Sequence, residues 1–187
     1  MISIAVSDQR VFNLPADLAT ALDYFGDFER TIGELLHLEV VKRHAPNQYR
    51  ILYSAAEGGI YRVALFCDLQ VEYDAARQTI RVMPLEGMAP VAAKVTLNSL
   101  TGQGTYASRS VFQASGAMTR VRYAVEIGGR LPKPIGMRFF PEAVIQRLVE
   151  NVVRQRLQEI TDAFIRGSID GLTQQGAGRG GSGRKGL

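Results

Sequence analysis

The sequence predicts a single α+β domain of the helix-grip kind: a curved antiparallel sheet of about six or seven strands wrapped around a long C-terminal helix, with two short helices after strand 1. Three observations carry this reading. The chain opens with a strand-like alternation followed by two short amphipathic helices. Its middle repeats apolar and polar residues with period 2, in segments separated by turn residues. One long segment of helical period then closes it.

Residues 2–12 alternate Ile2, Ile4 and Val6 with small or polar residues, the mark of a strand. Leu14-Pro15 then opens a helix, Pro being tolerated in a first turn where its missing N–H has no partner. Leu18, Leu22 and Phe25 share one face of this helix. After Gly26-Asp27, residues Phe28, Ile32, Leu35 and Leu36 give a second short helix its own stripe. Residues 37–43 and 49–53 read as strands joined by a turn at Pro46-Asn47. Glu57-Gly58-Gly59 supplies the positive φ of a tight hairpin. In the strand that follows, Tyr61, Val63, Leu65, Cys67, Leu69, Val71 and Tyr73 share one face. Arg62, Asp68, Gln70 and Glu72 share the other, where Ala64 and Phe66 imply partial cover. A turn over 74–77 leads to a strand at 79–83.

Residues 84–104 contain Pro84, Gly87 and Pro90 and read as an irregular loop, with 92–100 forming an extra strand or part of a flap. Strands resume at 105–112 and, after Ser115-Gly116, at 121–127. Connections this short imply antiparallel neighbours. The longest helix follows Leu131-Pro132-Lys133-Pro134, takes Pro141 and Glu142 into its first turn, and runs to about residue 166. Val144, Ile145, Leu148, Val149, Val152, Val153, Leu157, Ile160 and Phe164 make its broad apolar face. From Gly167 the chain turns to Gly, Ser, Gln, Thr and Arg, which predicts a domain over 1–166 and a flexible basic tail over 167–187.

Nearly half of the 187 residues are apolar, yet no apolar run is long enough to cross a membrane. The N-terminus lacks the pattern of a signal peptide, and the single Cys67 excludes an internal disulfide, so a cytoplasmic location is the expectation. In the tail, Arg179, Arg184 and Lys185 against Asp170 leave +2 of the total net charge of +4. The remaining domain is only mildly basic, which argues against nucleic acid as a partner.

The order of strand, two helices, meander and long helix resembles the START-like superfamily, which also includes polyketide cyclases and Bet v 1-type proteins. The segment from Phe12 to Arg43 is similar to that family's opening, where an apolar-Pro pair starts the first helix. The segment from Gly128 to Phe164 resembles an uncharacterised branch common in photosynthetic organisms, which enters its last helix through a Leu-Pro, short apolar, Pro sequence. Here Leu131-Pro132 and Pro141 stand in those places. The resemblance covers residues 2–166 and implies a tunnel between sheet and helix.

The lining expected for such a tunnel is Tyr53, Tyr61, Val63, Leu65, Cys67, Val82, Tyr123, Val125, Leu148, Val149 and Val152, with tyrosine hydroxyls as polar anchors. The competing expectation is a filled core. A hydrophobic small molecule (a lipid, isoprenoid or pigment-like compound) is the expected partner. A cyclase or hydratase acting on a hydrophobic substrate and an assembly factor with a filled core are the alternatives. No cofactor, metal or catalytic residue is expected. His37 and His44 sit in no metal-ligand pattern and read as exposed or half-buried. Cys67 reads as a small core residue, and Asp68 and Glu72 as solvated strand charges. Gly58-Gly59 reads as a hairpin turn, and the run from Gly176 to Gly183 follows no strand, so no phosphate loop is read from either. Lys133, Met137, Arg138, Phe139 and Phe140 set apolar and basic residues side by side, suiting a loop that dips into a membrane surface or gates the tunnel. Phe139 and Phe140 stapling the helix onto the sheet is the heavier alternative.

Overall fold

The computed structural model describes residues 1–57, 61–137 and 139–180, excepting the side chains of 176–180. In chain order the elements are β1 (Ile2–Leu14), α1 (Leu18–Gly26), α2 (Phe28–Gly33), β2 (Leu38–Ala45), β3 (Gln48–Glu57) and β4 (Tyr61–Asp74). Then come β5 (Thr79–Pro84), β6 (Lys94–Val95), β7 (Ser99–Ser115), β8 (Met118–Leu131), a 3-10 turn at Ile135–Met137, and α3 (Glu142–Gly180). The strands form one unclosed sheet in the order β1-β8-β7-β5-β4-β3-β2, with two-residue β6 attached to β7. This is the predicted helix-grip α+β architecture.

Most neighbours pair antiparallel, joined by turns whose residues accept unusual backbone conformations. Asn47 (φ 60°) turns β2 into β3, and Gly116 (φ 63°) turns β7 into β8. The Gly58-Gly59 turn expected between β3 and β4 lies outside the described residues. One pairing is parallel: Arg62–Phe66 of β4 lies beside Ser99–Gln103 of β7, while further along β5 wedges between the same two strands. The irregular segment leaves the sheet at this fork and includes the short extra strand.

α1 begins three residues after Pro15, not at it. Asp17 caps the helix by accepting from the Thr20 amide, and Asp27 caps α2 by accepting from Arg30. The larger departure from expectation is the length of α3. Instead of ending near Arg166 it runs 39 residues to Gly180, so residues 167–180 are helical. Composition hid this because the anchors are few. Ser168 and Leu172 are buried, the Ser168 hydroxyl donates to Glu34 (3.3 Å), and Gly171 sits directly under the Tyr24 ring. The Tyr24 hydroxyl donates to the same Glu34 carboxylate, and the Arg30 guanidinium covers the Tyr24 ring. Residues 181–187 lie outside the described part.

The outer face of β4 is less solvated than its charges suggest. Asp68 is 4% exposed, and accepts from Nε and Nη2 of Arg50 (both 2.8 Å) while His44 Nε2 stands 3.0 Å away. Arg50 also donates to the Ala89 carbonyl, and the Val91 amide donates to Gln103. The loop after β5 is thus tied down over this face, where Ala64 and Phe66 are half-buried. The reading of Asp68 as a solvated charge is therefore corrected. Its side-chain partners come from β2, β3 and β7, Gln103 Nε2 donating at 3.4 Å, and no local spacing reveals them. Glu72 is exposed as expected, His44 is half-buried and His37 exposed.

Candidate ligand cavity

The inner face of the sheet is set by strand periodicity: even positions of β1 and β7 and odd positions of β3, β4 and β8 look toward α3. α3 lies against β1 and stands off β3 and β4. Two blocks of the interior therefore differ. At the end near α1, Phe25, Phe112, Phe164 and Tyr123 pack ring on ring at centroid distances of 5.2–5.6 Å and fill the space. Toward the other end a cavity of about 520 Å³ remains between sheet and helix. That volume lies in the range of small-molecule pockets.

Ten of the eleven residues expected to line a tunnel are on its wall: Tyr53, Tyr61, Val63, Leu65, Cys67, Tyr123, Val125, Leu148, Val149 and Val152. Val82 is not. It is buried opposite Val71 in the packed core, beyond Cys67 along the sheet. Sequence reasoning missed Tyr106, Thr161, Glu57 and Arg156. Arg156 was findable, since it follows Val149 by seven residues and Val152 by four on the same helix face. Tyr106 was hidden because Ser108 and Ser110 interrupt the apolar alternation of the strand read over 105–112, so its inward face was not marked. Gly104 and Gly128 keep the wall shallow between β7 and β8, where a Cβ at 128 would come 2.9 Å from Thr105 Oγ1.

Two clusters of hydrogen-bonded polar side chains sit on this wall, besides single groups such as Thr161 and the Tyr61 hydroxyl, which donates to the Ser99 carbonyl. Inside, the hydroxyls of Tyr106 and Tyr123 are 3.1 Å apart and both side chains are buried. Burial raises both phenols above the usual tyrosine range, so both stay protonated. Nearer the β3–β4 end, Arg156 Nε donates to both oxygens of Glu57 (3.1 Å each), and the Tyr53 hydroxyl donates to Glu57 at 3.2 Å. The Cys67 thiol is pushed up to about 12 by burial. It is a thiol and not a thiolate near neutral pH, as a small core residue would be. No group of three or more His, Cys, Asp or Glu among the described residues is placed to hold a metal ion.

The register puts one set of chain segments at one end of the cavity. The start of β1 pairs with the end of β8, whose Leu131 lies against Gly102 of β7, and the start of β7 pairs with the start of β4. Pro132, Pro134, Met137 and Leu148 line the cavity from the segment entering α3. Met137 of the expected gate loop is thus on the wall, and Lys133 pairs with Glu142 (3.2 Å). Phe139 and Phe140 are 97% and 56% exposed, so they do not staple the helix to the sheet. Arg138 lies outside the described residues.

No protein-family model matches the chain, and no curated protein does. Solved structures do. A START superfamily protein from Mycobacterium smegmatis aligns at TM-score 0.52 and 14% identity, covering 90% of this chain and 98% of its own. Zhui aromatase/cyclase from Streptomyces sp. R1128 aligns at 0.52 and 10%, covering 95% and 97%. Ara h 8.0201, of the Bet v 1 type, aligns at 0.50 and 11%, covering 91% and 99%. None of these matches supports the likeness to a photosynthetic branch. What they share with this chain, over nearly its whole length, is the START/Bet v 1-type helix-grip fold.

Proposed function

We propose that the protein holds a hydrophobic small molecule, of lipid, isoprenoid or pigment-like character, in the cavity between sheet and α3. The observation that carries this reading is a cavity of about 520 Å³ walled mostly by apolar side chains, with a few polar groups among them. An empty apolar space of that size gives up packing contacts that a filled core would keep, unless a ligand restores them. The Tyr106–Tyr123 pair offers an inner anchor for a hydroxyl or carbonyl oxygen, since a hydroxyl can donate and accept. Its neighbours in fold, a START superfamily protein and an aromatase/cyclase among them, fit such a use. Binding is favoured over catalysis because the one carboxylate on the wall, Glu57, is already engaged by Arg156 and Tyr53, and the buried Cys67 thiol is held protonated and so is a poor nucleophile.

Native mass spectrometry of the protein purified from its own host tests this. A co-purifying apolar compound, lost when Val149→Trp fills the cavity, is the expected result. A bare polypeptide mass, together with no uptake of apolar fluorescent probes by the wild type, would remove the reading.

A further inference from the structure

The end of the cavity walled by Leu131, Pro132, Pro134, Met137 and Leu148 carries a surface that holding a ligand does not require. Phe139 (97% exposed), Leu97 (78%), Phe140 (56%), Val144 (52%) and Leu148 (48%) are large apolar side chains left open to solvent. They come from two segments that the fold brings to one end. Leu97 sits in the turn between β6 and β7, beside the start of β4, where the Asn98 carbonyl accepts from the Arg62 amide. The others sit at and just before the start of α3, which Gln146 ties to the Ser3 carbonyl of β1. Exposed apolar side chains gathered in this way mark an interaction site.

Charge decides what kind. Arg62, Lys94, Arg130 and Arg147 are exposed on the same segments, and among the described residues none pairs with an acid. Of the acids nearby, Glu142 is paired with Lys133 and Glu57 with Arg156; Glu150 accepts from the neutral Gln146 amide and keeps its charge, one acid against the four unpaired cations. A second copy of the chain would set this basic rim against its own like. A bilayer bearing anionic lipid accepts both features, with aromatic and aliphatic side chains entering the interface and Arg and Lys at the headgroups. We propose that the mouth of the cavity docks on the surface of an anionic membrane through Phe139, Phe140 and Leu97, steered by these basic residues. The cavity then opens toward the lipid, the source or destination of an apolar cargo. The inference takes its purpose from the binding function proposed above, but its test does not depend on that function.

The test is flotation of the full-length protein with phosphatidylcholine vesicles, with and without about 30% phosphatidylglycerol. The wild type should float with the anionic vesicles, bind neutral ones far more weakly, and be released as salt rises to about 0.5 M. Phe139→Ser with Phe140→Ser, at exposed positions that leave the fold intact, should weaken binding about tenfold or more. Arg62→Glu with Arg147→Glu should abolish the preference for anionic lipid. Val149→Trp should keep vesicle binding while losing apolar probes, so failure of the ligand reading and failure of this one are told apart. Equal flotation of the double serine variant, or no flotation of the wild type, overturns the proposal. So does a dimer in light scattering that the serine variant dissociates, which would make the rim a self-association surface.

Discussion

Replacing Gly171 by Ala should destabilise the domain, whereas the same change at Gly167, one turn earlier on α3, should stabilise it. A Cβ at 171 would stand 2.5 Å from the Tyr24 hydroxyl and 3.2 and 3.3 Å from two ring carbons. Tyr24 is 2% exposed and fixed by Glu34 and Arg30, so its ring cannot swing clear. Overpacking of this kind costs about 1–3 kcal/mol, and the gain in helix propensity returns up to about 1 kcal/mol. The net loss is up to about 2 kcal/mol, which for a chain of this size lowers Tm by up to roughly 8 °C. At 167 the nearest atom to a new Cβ is Glu34 Cβ at 3.7 Å, ordinary contact, so only the propensity gain of up to about 1 kcal/mol remains. Thermal melts followed by circular dichroism, with urea titrations for the free energies, give both signs. If both substitutions raise Tm, residues 167–180 do not pack on α1 and the account of this end of the helix is wrong.

Asp68→Asn should cost about 3 kcal/mol in urea unfolding, because it strips the counter-charge from Arg50 at a nearly inaccessible position; a loss below about 0.5 kcal/mol would contradict the clamp described on the outer face. Burial alone would raise the Asp68 carboxyl, but the hydrogen bonds from Arg50 and then His44 outweigh it and hold it below the usual value. A carboxylate lowered in the folded state stabilises above its unfolded value of about 4, and that contribution is lost as pH falls through the lower folded value. The variant should accordingly flatten the acid side of the stability–pH curve. Cys67, with its thiol pushed up to about 12, should react with a maleimide at pH 8 more than about 100-fold slower than in urea; equal rates would mean the wall is open to water there.

What could be read from the residues followed from periodicity. The alternation from Tyr61 to Tyr73 gave the inward face of β4, and the helical stripe from Val144 to Phe164 gave the face of α3, so most of the cavity wall followed from two segments. Val82 failed for a three-dimensional reason, since inward position does not say which half of the interior is filled. The phenyl rings of Phe25, Phe112 and Phe164, from three distant elements, decide that. Residues 167–180 were misread because a helix can be held by a few contacts, here Ser168, Gly171 and Leu172, in a segment whose average composition looks disordered. Asp68 was misread because its partners are 18, 24 and 35 residues away, beyond any strand-face argument.

The central claim is that the space between α3 and the inner faces of β3, β4 and β8 is open and apolar. Diffraction from crystals of the protein held under xenon gas addresses it directly, because xenon occupies dry apolar cavities. Xenon density between Val63 and Leu65 on one side and Val149 and Val152 on the other is the predicted result. An interior in which those side chains meet and no xenon enters would contradict it.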